Sequence, residues 1–147
     1  MPLPLMPSDL MRAARRSQPS SLHMGYAGYE EFFSHHEAIE IRFARQRAVK
    51  EPEDFWVACI RAAGGGDWFE HSDDLHERLR ASCGEILTGE AMAAALRQVT
   101  GGKLPVLERK MLDNATQLQE MVLEWNFRAV ILETPDAWWS TVWYTTA

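Results

Sequence analysis

The sequence predicts an α+β fold, a mainly helical single domain with a small antiparallel sheet that includes a C-terminal β-hairpin. Three observations carry this. Between residues 52 and 125, apolar side chains recur three and four apart, bounded by proline and glycine, as on one face of a helix. After Asn126 the residues turn β-branched and aromatic, in RAVILE and WWSTVWYTT, with the turn-forming TPDA between them. A length of 147 residues, 46% hydrophobic and 24% charged, suits one ordinary globular core.

The first 24 residues read as a disordered or weakly ordered tail, leaving residues 25–147 as the single domain. Pro2, Pro4, Pro7 and Asp9 break the continuous apolar centre that a secretory signal needs. The same prolines oppose the amphipathic helix of an organellar presequence, which the arginines and serines faintly suggest. The patterned region opens near Met24.

From Tyr29 to about Val49, the helix formers and the spacing of Phe32, Ile39 and Phe43 favour a helix. The strict alternation of AIEIRFAR offers a strand over residues 38–45 as the alternative, with Ile39, Ile41 and Phe43 on one side and Glu40 and Arg42 on the other. Pro52, with Glu53 and Asp54 beside it, opens a helix that carries Trp56, Ile60 and Ala63 and stops at Gly64, Gly65 and Gly66. Ser72 is placed to cap the next, ahead of Asp73 and Asp74, with Leu75, Leu79, Cys83 and Ile86 on its buried line. Thr88 suits the cap of a helix facing inward through Met92, Leu96 and Val99 and ended by Gly101 and Gly102. Pro105 opens the longest helical stretch, carrying Leu107, Met111, Leu118, Met121, Val122 and Trp125, which Asp113 and Asn114 interrupt.

In the terminal strand, Trp138, Ser140, Val142 and Tyr144 share one face, and Trp139, Thr141, Trp143 and Thr145 the other. Aromatics on both faces call for cover on both: the helices on one, and loops, a symmetry mate or a partner on the other. The indoles then hold the terminus in place against fraying.

Two clusters could carry chemistry. HHEAIE, residues 35–40, puts His36 and Glu40 one turn apart if helical, a spacing that suits two ligands on one metal. GGGDWFEHSDDLHE, residues 64–77, gathers Asp67, Glu70, His71, Asp73, Asp74, His76 and Glu77, yet fits neither a calcium loop nor a zinc motif. His36, Glu40, His71 and His76 are therefore weak metal candidates. Trp68 and Phe69, large apolar groups among these acids, resemble the aromatic anchors of an interface inside a charged rim. Cys59 and Cys83 read as free thiols of a reducing, cytoplasmic setting. Neither has an evident histidine partner, and no nucleophile elbow or phosphate loop occurs.

The net charge is −6, with +2 in the first 24 residues from three arginines against one aspartate, so residues 25–147 carry −8. That acidity disfavours nucleic acid and anionic membranes and favours a basic partner. The leading expectation is a non-catalytic, acidic module that binds one protein partner without a cofactor. The binding residues expected are Asp67, Trp68, Phe69, Glu70, Asp73, Asp74, Glu77, Trp138 and Trp139. An immunity protein or antitoxin-like inhibitor of a basic toxin suits the size and charge. The alternatives are a small metal-dependent enzyme or metal sensor, and a homodimeric structural subunit that buries one face of the terminal strand.

Overall fold

The computed structural model describes residues 3–16, 25–31, 37–63, 72–80 and 82–145. Among them run, in order, α1 (Pro7–Arg15), β1 (Gly25–Glu31), β2 (Glu37–Arg45), α2 (Pro52–Ala62), α3 (Ser72–Arg80), β3 (Ile86–Leu87), α4 (Glu90–Thr100), α5 (Pro105–Leu112), β4 (Gln117–Leu123), β5 (Phe127–Glu133) and β6 (Ala137–Thr145). The fold is α+β. All six strands join one antiparallel sheet in the order β1-β2-β6-β5-β4-β3.

The C-terminal hairpin forms as the sequence predicts. Thr134 N donates to Ala137 O at 3.0 Å, enclosing Pro135 and Asp136, and β5 pairs β6 from Glu133↔Trp138 to Phe127↔Tyr144. Because β6 lies between β2 and β5, the terminus is an interior strand. Its two faces go to different cores. Trp138, Val142 and Tyr144 pack with Leu10 of α1, Phe55 and Trp56 of α2, and Leu75 and Leu79 of α3. Trp139 and Trp143 pack against Met92, Leu96 and Val99 of α4 and Met111 of α5. The second face, expected to need loops, a mate or a partner, is thus covered by this chain's own helices. The Trp138 indole N–H donates to Val49 O at 2.8 Å, satisfying the one polar atom its burial would strand.

Residues 37–45 are strand β2, not the favoured helix, paired on both sides by β1 and β6. Ile39 and Ile41 enter the α4–α5 core, and the opposite row, Ala38, Glu40, Arg42 and Ala44, is buried as well. The predicted long helix ends at Leu112. Residues 117–123 are strand β4, carrying a bulge between Glu120 and Val122. The helix from Ser72 stops at Arg80, so Ile86 belongs to edge strand β3 and not to the helix line. Next to β3, a Cβ on Gly84 would stand 2.7 Å from Glu120 O, so the close approach of the two backbones requires glycine there. Gly89, not Thr88, caps α4, and Gly101 ends it in the left-handed conformation (φ 64°), as the glycine pair predicts.

Of residues 1–24, expected as a disordered or weakly ordered tail, residues 3–16 are structured, and 1, 2 and 17–24 lie outside the described residues. Pro7 occupies the first turn of α1, Asp9 Oδ2 accepts from Met6 N at 3.1 Å, and Leu3, Leu5, Leu10 and Ala13 are buried in the core beneath α2 and α3. Gln119 of β4 grips the backbone ahead of the helix. Its Oε1 accepts from Leu5 N at 2.6 Å, and its Nε2 donates to Leu5 O at 2.9 Å, as a neighbouring strand would.

Helix α2 opens at Pro52 as predicted, and Glu53 in its first turn is buried. Burial pushes the Glu53 carboxyl pKa up, outweighing the hydrogen bond to backbone that lowers it. The folded chain therefore holds this proton more tightly than the unfolded one, and its contribution to stability falls as pH rises from the unfolded carboxyl range through the folded value. Glu53→Gln is expected to melt higher than wild type at pH 7 and equally below that range. A pH-independent difference in calorimetry would rule out this titration.

Candidate functional site

Helix α3 lays Leu75 and Leu79 on the core and leaves Asp74 and Glu77 exposed. Arg78 ties the helix to the β4–β5 turn: Nη1 stands 3.0 Å from Glu124 Oε2, and the guanidinium sits 4.6 Å from the centre of the Phe127 ring. That turn is tight, with Glu124 N donating to Phe127 O at 2.9 Å, so Trp125 and Asn126 occupy its tip. Trp125 is 71% exposed, and Leu123 before it is exposed as well. Through Arg78 the exposed Trp125 turn, with Glu124 in it, is joined to a helix whose exposed side chains include Asp74, Glu77 and Arg80.

The sequence places Trp125 on a buried helical line, and the structure puts it at a hairpin tip. Its signal was the WN pair between two runs rich in β formers, masked by the helical spacing of β4. Of the residues expected to bind a partner, Asp74 and Glu77 belong to this surface, and Asp73 lies in the first turn of α3. Asp67, Trp68, Phe69 and Glu70 lie outside the described residues. Trp138 is 2% exposed, buried under α1–α3. Trp139 is half-exposed on the opposite face of the sheet from α3, its ring 4.9 Å from that of Phe43. The terminal tryptophans and the acidic helix therefore do not form one surface. Helices lie on both faces of β6, with Trp139 and Trp143 half-exposed on the α4–α5 side.

Of the four metal candidates, two lie among the described residues, Glu40 on β2 and His76 on α3. His36 and His71 lie outside the described residues, and His76 is half-buried on α3. Glu40 cannot share a helical face with His36, because it belongs to β2. Among the described residues, no three His, Cys, Asp or Glu side chains gather as ligands would.

Glu40 instead anchors a buried polar cluster. Its Oε1 accepts from Arg42 Nη1 at 2.6 Å and its Oε2 from the Tyr144 hydroxyl at 2.6 Å, while Arg42 Nη2 reaches Ala62 O at 3.3 Å. Glu40 is 3% exposed and Arg42 9%. Cys59 of α2 lies beside this group. Burial pushes its thiol up to about 12, against the lowering by the Ser140 hydroxyl and by Arg42. Cys83 is likewise a free thiol, pushed up to about 12 by burial. Protonated thiols of this kind are poor nucleophiles, and the cluster acts as a cross-link between β2, β6 and α2.

No helix among the described residues is long and apolar enough to cross a membrane. No family model matches the chain, and neither a curated protein nor a solved structure matches it. The geometry itself defines an α+β protein in which a six-stranded antiparallel sheet lies between two helical layers, with an acidic, tryptophan-tipped surface at α3 and the β4–β5 turn.

Proposed function

We propose that this chain is a non-catalytic binding module that takes a basic protein partner on the surface formed by α3 and the β4–β5 turn. The observation that carries it is Trp125, 71% exposed at the tip of a turn that Arg78 fixes to an acidic helix face. An indole held in water on a rigid turn gains most from desolvation by a partner, and surrounding carboxylates steer and orient a cationic one. The charge of −8 over residues 25–147 supports the same direction of recognition. An inhibitor of the immunity-protein or antitoxin type, neutralising a basic toxin in the cytoplasm, is the finer form of this proposal. Trp68 and Phe69, just ahead of α3 in sequence, would extend the anchor.

The test is affinity capture from the native cell at low and at high salt, using wild type, Trp125→Ala and Asp74→Lys. Because both side chains are exposed, each variant is expected to unfold within about 0.5 kcal/mol of wild type. Each is nevertheless expected to bind the captured protein at least about tenfold more weakly. The wild-type complex should loosen in high salt. Unchanged affinity in both variants would reject this surface.

A further inference from the structure

On the other side of the sheet, α4 and α5 enclose a groove of about 560 Å³. This is the size of a small-molecule site. Ala93 and Arg97 line it from α4, one turn apart, and Glu108, Arg109, Leu112 and Asp113 line it from one stripe of α5. Two cations and two anions therefore face one cavity. Among the described residues, none of these four charged side chains makes an ion pair or side-chain hydrogen bond, with each other or with any neighbour.

Glu108 makes this more than a chance grouping of surface charges, being 7% exposed and lining the groove. Most of its side chain is packed away while its carboxylate, unspent on any protein donor, remains open to the groove, where a ligand's donor could take it up. Arg97 and Arg109 offer forked N–H donors suited to a carboxylate. Ala93 and Leu112 supply the apolar wall against which an aliphatic part can lie.

We propose that this groove binds a small zwitterion of the amino-acid class. Glu108 accepts from its ammonium group, with Asp113 adding negative potential, while Arg97 and Arg109 hold its carboxylate. Neither charge alone matches the site, because an amine leaves the guanidinium groups unmatched and a simple carboxylate leaves Glu108 so. The site is separate from the Trp125 surface, and either can fail without the other.

Isothermal titration of the full chain with each proteinogenic amino acid, beside its N-acetyl and amide derivatives, tests this. At least one free amino acid is expected to bind at millimolar concentration or below, with both capped forms weaker by about tenfold or more. Arg97→Gln, at an exposed position where folding is not at risk, and Glu108→Gln are expected to weaken binding by the same order. If Glu108→Gln fails to fold, the capped ligands and Arg97→Gln decide the matter alone. The proposal is overturned if no amino acid binds, if capped forms bind as well as free ones, or if Arg97→Gln binds like wild type.

Discussion

Glu40→Ala is expected to destabilise the protein by about 3–5 kcal/mol, because it leaves the Arg42 guanidinium buried without its carboxylate. In the native chain Glu40 accepts from both Arg42 and Tyr144, each at 2.6 Å, and the ion pair sits in the core between β2, β6 and α2. Removing one member leaves the other buried without the opposite charge that balances it, a larger penalty than the pair's own net worth. The replacement of both, Glu40→Leu with Arg42→Met, is accordingly expected to cost much less than Glu40→Ala alone, and to come close to wild type if the new side chains pack. Tyr144→Phe removes the hydrogen bond to Glu40 Oε2, at about 1.5–3 kcal/mol. Urea unfolding of the four proteins measures these differences. A loss under about 1 kcal/mol in Glu40→Ala would mean that water reaches Arg42 and that the cluster is not the cross-link described.

The same cluster shows why β2 was hard to read. Its sequence alternates correctly, but Glu40 and Arg42 look like a solvent face, and the neighbouring glutamates, alanines and arginines are good helix formers. Their burial as a pair made the strand two-sided, a condition visible only once β6 and α2 lie against it. In β4 the bulge is responsible. By shifting the phase between Glu120 and Val122, it turns Met121 and Val122 both toward the core beneath α1–α3, while Leu118 faces the other. Apolar residues at 118, 121 and 122 then imitate a helix. The hairpin of β5 and β6, and helices α2, α4 and α5, were legible because their determinants are local: TPDA, Pro52, Pro105 and Gly101. Asp74 and Glu77 were legible as an exposed acidic face for the same reason. Trp125 was not, since its exposure depends on β4 being a strand. Glu108 and Arg97 were invisible as a group, because only the packing of α4 against α5 opposes them.

Deleting residues 1–16 is expected to cost more than any single substitution above, despite the tail-like composition of this segment. Leu3, Leu5 and Leu10 are all buried in the core they share with Phe55, Trp56, Leu75 and Leu79. At about 1.5–3 kcal/mol for each fully buried leucine, their loss alone approaches the 5–15 kcal/mol by which a domain is ordinarily stable. The deletion also strands donors and acceptors. Gln119 loses both bonds to the Leu5 backbone, Arg61 loses Ala14 O at 3.0 Å, and Asp54 loses Arg16 at 2.8 Å. Some of this is offset by the conformational entropy regained by the freed segment, which applies equally to residues that bury nothing. The expected product is a chain with a shallow, early unfolding transition and apolar surface open to a hydrophobic dye. Gln119→Leu removes the amide and keeps an apolar side chain of similar length, so a loss of about 1–3 kcal/mol reports the stranded Leu5 groups together with the weaker bond to Gly84 O at 3.3 Å. Met6→Leu, at a position that is 54% exposed, should change little and serves as the control for handling this segment. If the truncated chain unfolds at the wild-type midpoint, α1 contributes nothing to the core, and Leu10 must be assigned to an accessory contact instead of the helical layer that covers this face of the sheet.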